Sequence, residues 1–467
     1  MSDTENSPAK TRPISGTENS WCKAASGGTG ITILSLLLIK QPNFTLLHNS
    51  LHKLQFSHPI LRSKLHFNSL SSTFSLLIPS SSTLRLTHHD FQSTAKIIQS
   101  NPPSSDPTTT FQILLEHELN TNPWENLDRS SISCSVDVLH ASVYEIDEVG
   151  KWAVMIKVHT GVCDRTAAVA LLKELTGLMK SSNGGGDLDE SGEIKEREVS
   201  LGVEEYIPSG KMSKPFWSRG VDMLGYSLNS FRLSNLEFVD PDSRRSSRVV
   251  RLMLDSDHTS KLLEGCKTRG IKLCGALSAA ALIAARASKS LTDGEWEKYA
   301  VVTLIDCRKL LEPALSSHHV GFYHSAILNT HDMKGSEDLW DLARRTYSSF
   351  EDAKNSNKHF SDMADLNFLM CRAIENPGLT PSSSLRTSFI SVFEDPVIDE
   401  TNENYEELGI EDCMGCASTH GVGPSIAIFD TIRQNKLDCA CVYPFPLHSR
   451  KQMQDLIENM KKILIDC

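Results

Sequence analysis

No apolar run in this chain of 467 residues is long enough to cross a bilayer: the longest, ITILSLLLI at 31–39, falls far short of the roughly 20 residues a spanning helix needs. The opening MSDTENSPAKTRP lacks a basic segment followed by an apolar one, so no secretory signal is read there. Positive charge is also short. Lys and Arg number 47 against 58 Asp and Glu, giving a formal charge of −11, which excludes a general nucleic-acid binder because neutralising phosphates takes a basic surface. No solenoid-type repeat is present. The glycines of SGGTG at 26–30 precede a strand pattern instead of following one and lack a phosphate-loop lysine, so they read as a turn. The 12 cysteines sit at irregular spacings and, without an export signal, are expected as reduced thiols. The expectation is therefore a cytoplasmic monomer with no metal, no bound cofactor, no membrane span and no nucleic-acid partner.

What is present fits a folded globular chain: 39% hydrophobic and 22% charged residues. The length predicts two lobes. Residues 1–20 read as a disordered tail, and SSNGGGDLDESGEIKER, within about 181–200, as a flexible loop. A boundary near 215 then separates lobes at 21–215 and 216–467. GITILSLLLIK reads as a buried strand, NFTLLHNSLHKLQFSHP as a helix, and CSVDVLHASVYEI and WAVMIKVH as adjacent strands. The second half repeats this grammar, from RVVRLMLD to a closing helix whose capping box starts at Ser449. Strands alternating with helices in this order give a mixed α/β class.

HTGVCDR at 159–165 places a His and an Asp around a sharp turn. Asp164 is a good N-cap for the helix behind it. Because side chains alternate along a strand, Lys157 and His159 share one face while Trp152, Val154, Ile156, Val158 and Thr160 share the other.

HTGVCDR, SHPILRSKLHF at 57–67, CGALSAAALIAA, LIDCRKLLEPALSSHHVGF at 304–322 and the closing strand and helix together resemble the CoA-dependent acyltransferase superfamily. Peptide-synthetase condensation domains and plant BAHD acyltransferases belong to it. The resemblance implies a two-lobed, chloramphenicol acetyltransferase-like α/β fold, with mixed sheets, flanking helices and a tunnel between the lobes. A thioester donor, here acyl-CoA, enters from one side and a small alcohol or amine from the other. The superfamily motif His-His-x-x-x-Asp-Gly supplies a general base from its second His and a structural Asp held by an Arg. Residue by residue, Asp164 matches the Asp, His159 the first His, Thr160 the base position, and Arg165 the Gly. Asp306, Arg308 and Gly321 match structural positions. A base could still come from His159, if a bulge at Gly161 turned it inward, or from His319, with His318 and His324 beside it.

Other clusters have simpler readings. Cys163, inside the turn, reads as a small packing group. Arg244, Arg245 and Arg248, with Arg251 behind them, are candidates for docking CoA phosphates. Cys413 and Cys416 have zinc-ligand spacing, with His420, Cys439 and Cys441 downstream, but cysteines on apolar strands are expected to pack. Two functions stay open: an acyltransferase moving an acyl group from a CoA thioester to a small alcohol or amine, and a catalytically silent relative that binds a ligand or protein.

Overall fold

A computed structural model describes residues 10–100, 108–147, 150–181, 197–214, 233–289, 291, 295–400 and 402–466. The apolar run at 31–39 becomes an interior strand of a five-stranded sheet, as strand Thr29–Leu38. The sheet order is Ile410–Thr419, Thr29–Leu38, Trp152–His159, Leu139–Glu145, Leu86–His89. Every residue of Trp152–His159 is buried, which explains the unbroken apolar stretch Trp152–Ile156: a strand covered on both faces has no solvent side to alternate toward. Helices Phe44–Ser57 and Arg165–Ser181 pack on each other, and Thr110–Asn120 lies against the two central strands.

The second lobe is built on a seven-stranded sheet running His324–Met333, Glu297–Asp306, Arg386–Phe393, Gly423–Arg433, Lys436–Phe445, Ser246–Leu254, with Val397–Asp399 paired to Gly423–Arg433. Helices Leu273–Ala287, Leu339–Asn355 and Arg450–Ile465 pack around it. The Ala-rich Leu273–Ala287 helix approaches its neighbour closely: a Cβ on Gly275 would lie 2.9 Å from the Ala343 carbonyl oxygen. Each lobe has its own large apolar core.

Three expectations change. Residues 10–20 are not a tail: Lys10–Pro13 joins a four-stranded sheet with Thr73–Ile78, Lys64–Asn68 and Cys134–Asp137, and helix Gly16–Ser26 follows. The signal for that helix was local, since Ser15 and Glu18 form a reciprocal capping box and Arg12 clasps the Glu18 carboxylate at 2.6 and 3.0 Å. CSVDVLHASVYEI is two strands, Cys134–Asp137 and Leu139–Glu145, in different sheets. The division into halves is also crossed, because Ile410–Thr419 leaves the second half of the chain to pair antiparallel with Thr29–Leu38, from Ile410 opposite Leu38 to Thr419 opposite Thr29. Residues 1–9, most of the expected loop (182–196), and residues 215–232, where the lobe boundary was placed, lie outside the described residues.

Candidate functional site

Strand Trp152–His159 ends in a one-turn 3-10 helix, Thr160–Val162, and the chain enters helix Arg165–Ser181 through Asp164. Asp164 caps that helix by accepting from the Ala167 N–H at 2.9 Å. Its carboxylate also receives two Arg308 bonds, at 2.9 and 3.0 Å, and the Tyr323 N–H at 2.7 Å. Its own N–H donates to the Gly321 carbonyl at 3.0 Å. Arg308 is held in turn by Asp306 Oδ1 at 3.0 Å and the His319 carbonyl at 3.0 Å. One buried ion pair thus clasps the turn of the first lobe to the 306–323 segment of the second. Burial alone would raise the Asp164 carboxyl, but the Arg308 guanidinium and then His324 outweigh it and hold it well below the usual carboxylate range. Cys163 is buried beside it with its thiol pushed up by burial, the environment of a packing group.

His159 faces the other way. Its ring meets Trp124 edge-on, centroids 4.9 Å apart, and Nδ1 accepts from the Gly161 N–H at 3.1 Å. Nε2 is buried with no partner among the described residues. Pairing with Thr29–Leu38 stays in register through Ile31 opposite His159, and Gly161 is not among the glycines in the left-handed region. No bulge brings His159 inward, so that route to a base is closed.

Burial pushes the His159 imidazole down to about 3, which has a consequence for stability. The folded form holds a neutral ring, whereas the unfolded chain takes up a proton below its ordinary pKa of about 6.5. The stabilisation is therefore whole above that value and is lost as pH falls toward the folded one. At pH 4.5 the loss is about 3 kcal/mol. Asp164, held low, keeps its contribution through this window and loses it only below about 4. Urea unfolding at pH 7.5 and 4.5 should show His159→Leu losing about 3 kcal/mol less than the parent protein; equal losses would contradict the dry placement of the ring.

Between the lobes lies a cavity of about 170 Å³. The first lobe supplies Thr32, Leu34, Thr160 and Arg165, and the second supplies His324, Phe393 and Phe429. The crossing strand adds Met414 and Cys416. Most of the wall is apolar. Thr160, on the strand face opposite His159, bonds Thr32 through their hydroxyl oxygens at 2.6 Å. His324 is 5% exposed and, among the described residues, is the imidazole that lines the cavity. Its Nδ1 lies 3.1 Å from Asp164 Oδ2, at an angle too oblique for a full hydrogen bond, and its ring stands edge-on to Phe393. Arg165, at the motif's glycine position, reaches across to the second lobe. It donates to the Asp430 carbonyl and to Asp430 Oδ1 at 2.9 Å, with its guanidinium 4.1 Å from the Phe393 ring centroid. Lys173, one helical stretch further on, is exposed and borders the cavity.

Other candidates fall elsewhere. His319 is exposed and bonds Ser316 at 3.2 Å, outside the cavity wall, and His318 is exposed beside it; of the three histidines expected near Gly321, it is His324 that lines the cavity. The arginine cluster is engaged internally. Arg244 pairs with Glu125 at 2.8 Å on the surface, Arg245 donates to the Ser384 and Pro241 carbonyls, and Arg248 pairs with buried Glu116 at 2.8 Å. Arg251 sits between Asp412 and Asp438. None of the four lines the cavity. The cysteines do not converge either. Cys413 lies against Arg433 and Tyr405, its thiol raised by burial to about 11, Cys439 and Cys441 are in the second-lobe core, and His420 bonds Ser247 at 3.0 Å. No metal-ligand group occurs among the described residues.

Thr32, Trp21 and Met414 have no signature in the sequence. Thr32 becomes visible only once the register is known, since it shares a face with Thr160 across the paired strands. Trp21 comes from the helix hidden in the polar N-terminus and packs on Phe322, ring centroids 5.0 Å apart.

Residues 243–356 match the family model described as phthiocerol/phthiodiolone dimycocerosyl transferase C-terminus. No curated protein matches the sequence. Among solved structures, polyketide synthase associated protein 5 from Mycobacterium tuberculosis superposes with a TM-score of 0.62 at 16% identity, covering 98% of both chains. Trichothecene 15-O-acetyltransferase from Fusarium sporotrichioides gives 0.68 at 12% identity over 97% of this chain and 95% of its own. The epimerization domain from the third module of tyrocidine synthetase B gives 0.63 at 12%, over 100% and 98%.

Proposed function

Since the chain has the two-lobed fold of the condensation-domain and CoA-dependent acyltransferase superfamily, we propose that it transfers an acyl group from a thioester to an alcohol or amine within the interlobe cavity. The observation that carries this reading is His324, a buried imidazole on the cavity wall beside the Asp164 carboxylate. Without it the described lining would hold no imidazole, and a threonine hydroxyl is far too weak a base. The nearby carboxylate, 3.1 Å from Nδ1 without a full hydrogen bond, favours the ring's proton on that nitrogen and leaves Nε2 to accept. Nε2 takes the acceptor's O–H or N–H proton as its oxygen or nitrogen attacks the thioester carbonyl carbon. The C–S bond then breaks, the proton passes to the leaving sulfur, and an ester or amide and a free thiol remain. An apolar wall suits an acyl chain and excludes water that would hydrolyse it. Acyl-CoA is the proposed co-substrate, with exposed Lys173 bordering the cavity as a positive charge for an anionic donor.

Thr160 in the base slot and Arg165 across the cavity favour a second reading, a protein that binds such a ligand without turning it over. The two part in one experiment. The full chain is incubated with acyl-CoAs from acetyl to palmitoyl, alone and with small alcohols and amines. Thiol release is followed by a chromogenic disulfide and products by mass spectrometry. Acceptor-dependent thiol release is expected. Calorimetric binding of acyl-CoA with no thiol release in any combination would overturn transfer and leave binding.

A further inference from the structure

We propose that Thr160 and Thr32, whose hydroxyls pair in the cavity, form the donor that binds the thioester carbonyl oxygen and the oxyanion it becomes. This inference rests on the acyl-transfer reading and gives the base slot a different task. The two oxygens are 2.6 Å apart, and either could be the donor. Two hydroxyls carry two protons. One is used in the mutual bond, so the other O–H is left with no partner among the described residues, on side chains that are 7% and 8% exposed. A buried donor without a partner is costly, and a carbonyl oxygen entering the cavity satisfies it. The accepted bond also polarises the free O–H and strengthens it as a donor.

The backbone makes room for this pair. Gly30 lies beside Thr160 with φ at +93°, and a Cβ there would come within 2.8 Å of the Trp21 ring and 3.4 Å of Thr160 Cβ. Glycine is thus required there by its own backbone angle and by the Trp21 ring, while Thr160 lies at ordinary contact distance on the cavity wall. The chemistry favours donation over basicity: a neutral hydroxyl that cannot remove a proton near neutrality is suited to a developing negative oxygen. The recognised class is an acyl thioester, held by its carbonyl. In the step, the acceptor's lone pair forms the new C–O or C–N bond and the carbonyl π pair moves onto oxygen. The threonine O–H binds that oxygen, and the pair returns as the C–S bond breaks.

The test uses Thr160→Val, Thr32→Val and Thr160→Ser in the full chain, with thermal unfolding to confirm folding. With an acyl-CoA that the parent turns over, Thr160→Val should lose about 10²–10³-fold in kcat with KM little changed. Thr32→Val should lose less, and Thr160→Ser should keep most of the rate. A loss confined to KM, or turnover of Thr160→Val within a few-fold of the parent, overturns the inference and leaves the acyl-transfer reading standing. A second measurement needs no turnover. The infrared stretch of carbonyl-labelled S-acetonyl-CoA, a ketone analogue, should move to lower frequency on binding the parent and less on binding Thr160→Val. That difference in a protein that releases no thiol keeps the donor and ends the transfer reading; the same stretch in both proteins overturns the donor.

Discussion

Replacing His324 with alanine is expected to lower acyl transfer by about 10²–10⁴-fold, the worth of a positioned general base. The residue is chosen on geometry. Of the three histidines around Gly321, His318 and His319 are on the surface, whereas His324 opens strand His324–Met333 and lines the cavity. His159→Leu provides the contrast, because that ring packs on Trp124 outside the cavity and its loss should leave kcat within a few-fold while altering acid stability. Added imidazole should restore part of the His324→Ala rate if a base has been lost, and none if the substitution has only disturbed Asp164. Unchanged turnover in His324→Ala would remove the residue from the mechanism.

The second large effect concerns folding. Arg308 and Asp164 are nearly inaccessible, with side chains 3% and 1% exposed, and their pair joins the lobes. Removing one partner of a buried, hydrogen-bonded ion pair costs about 3–5 kcal/mol, chiefly because the other charge is stranded. Arg308→Met should therefore lower the urea midpoint by that equivalent, with the Asp164 carboxylate left among backbone N–H groups. Adding Asp164→Asn to Arg308→Met should recover part of the loss. Arg308→Lys should not, since an ammonium cannot reproduce the two-pronged contact. Additive effects of the two single substitutions would mean the pair is not coupled. The same variants would disturb His324, so their activity is read only after stability has been measured.

Local patterns carried much of the fold because the elements they predict are stabilised locally or buried throughout. Phe44–Ser57, with Asn43 capping it, follows from periodicity, as does Arg450–Ile465 behind Ser449. Buried strands such as Thr29–Leu38 follow from a predominantly apolar run. The site was partly legible for the same reason: strand parity places Thr160 and His159 on opposite faces, and the structure has Thr160 on the cavity wall and His159 against Trp124. What stayed hidden depends on contacts distant in sequence. Nothing near Ile410–Thr419 announces that its partner is Thr29–Leu38, and so nothing announces that Met414 meets Thr32 and His324 around one space. The arginines at 244–251 show the converse error. A charge cluster in sequence resembles an anion site until the carboxylates facing it, Glu116, Glu125, Asp412 and Asp438, are brought in from other elements.

Strand Ile410–Thr419 also decides how the molecule can breathe. A wide hinge between the lobes would have to unzip a ladder along a strand of 10 residues that belongs to one half of the gene product and completes the sheet of the other. In the proposed reaction, entry to the cavity would therefore rely on swinging side chains at the rims, with the scaffold staying shut. Halves produced as separate polypeptides would each be unfinished, the first exposing the bare flank of Thr29–Leu38, an invitation to self-association.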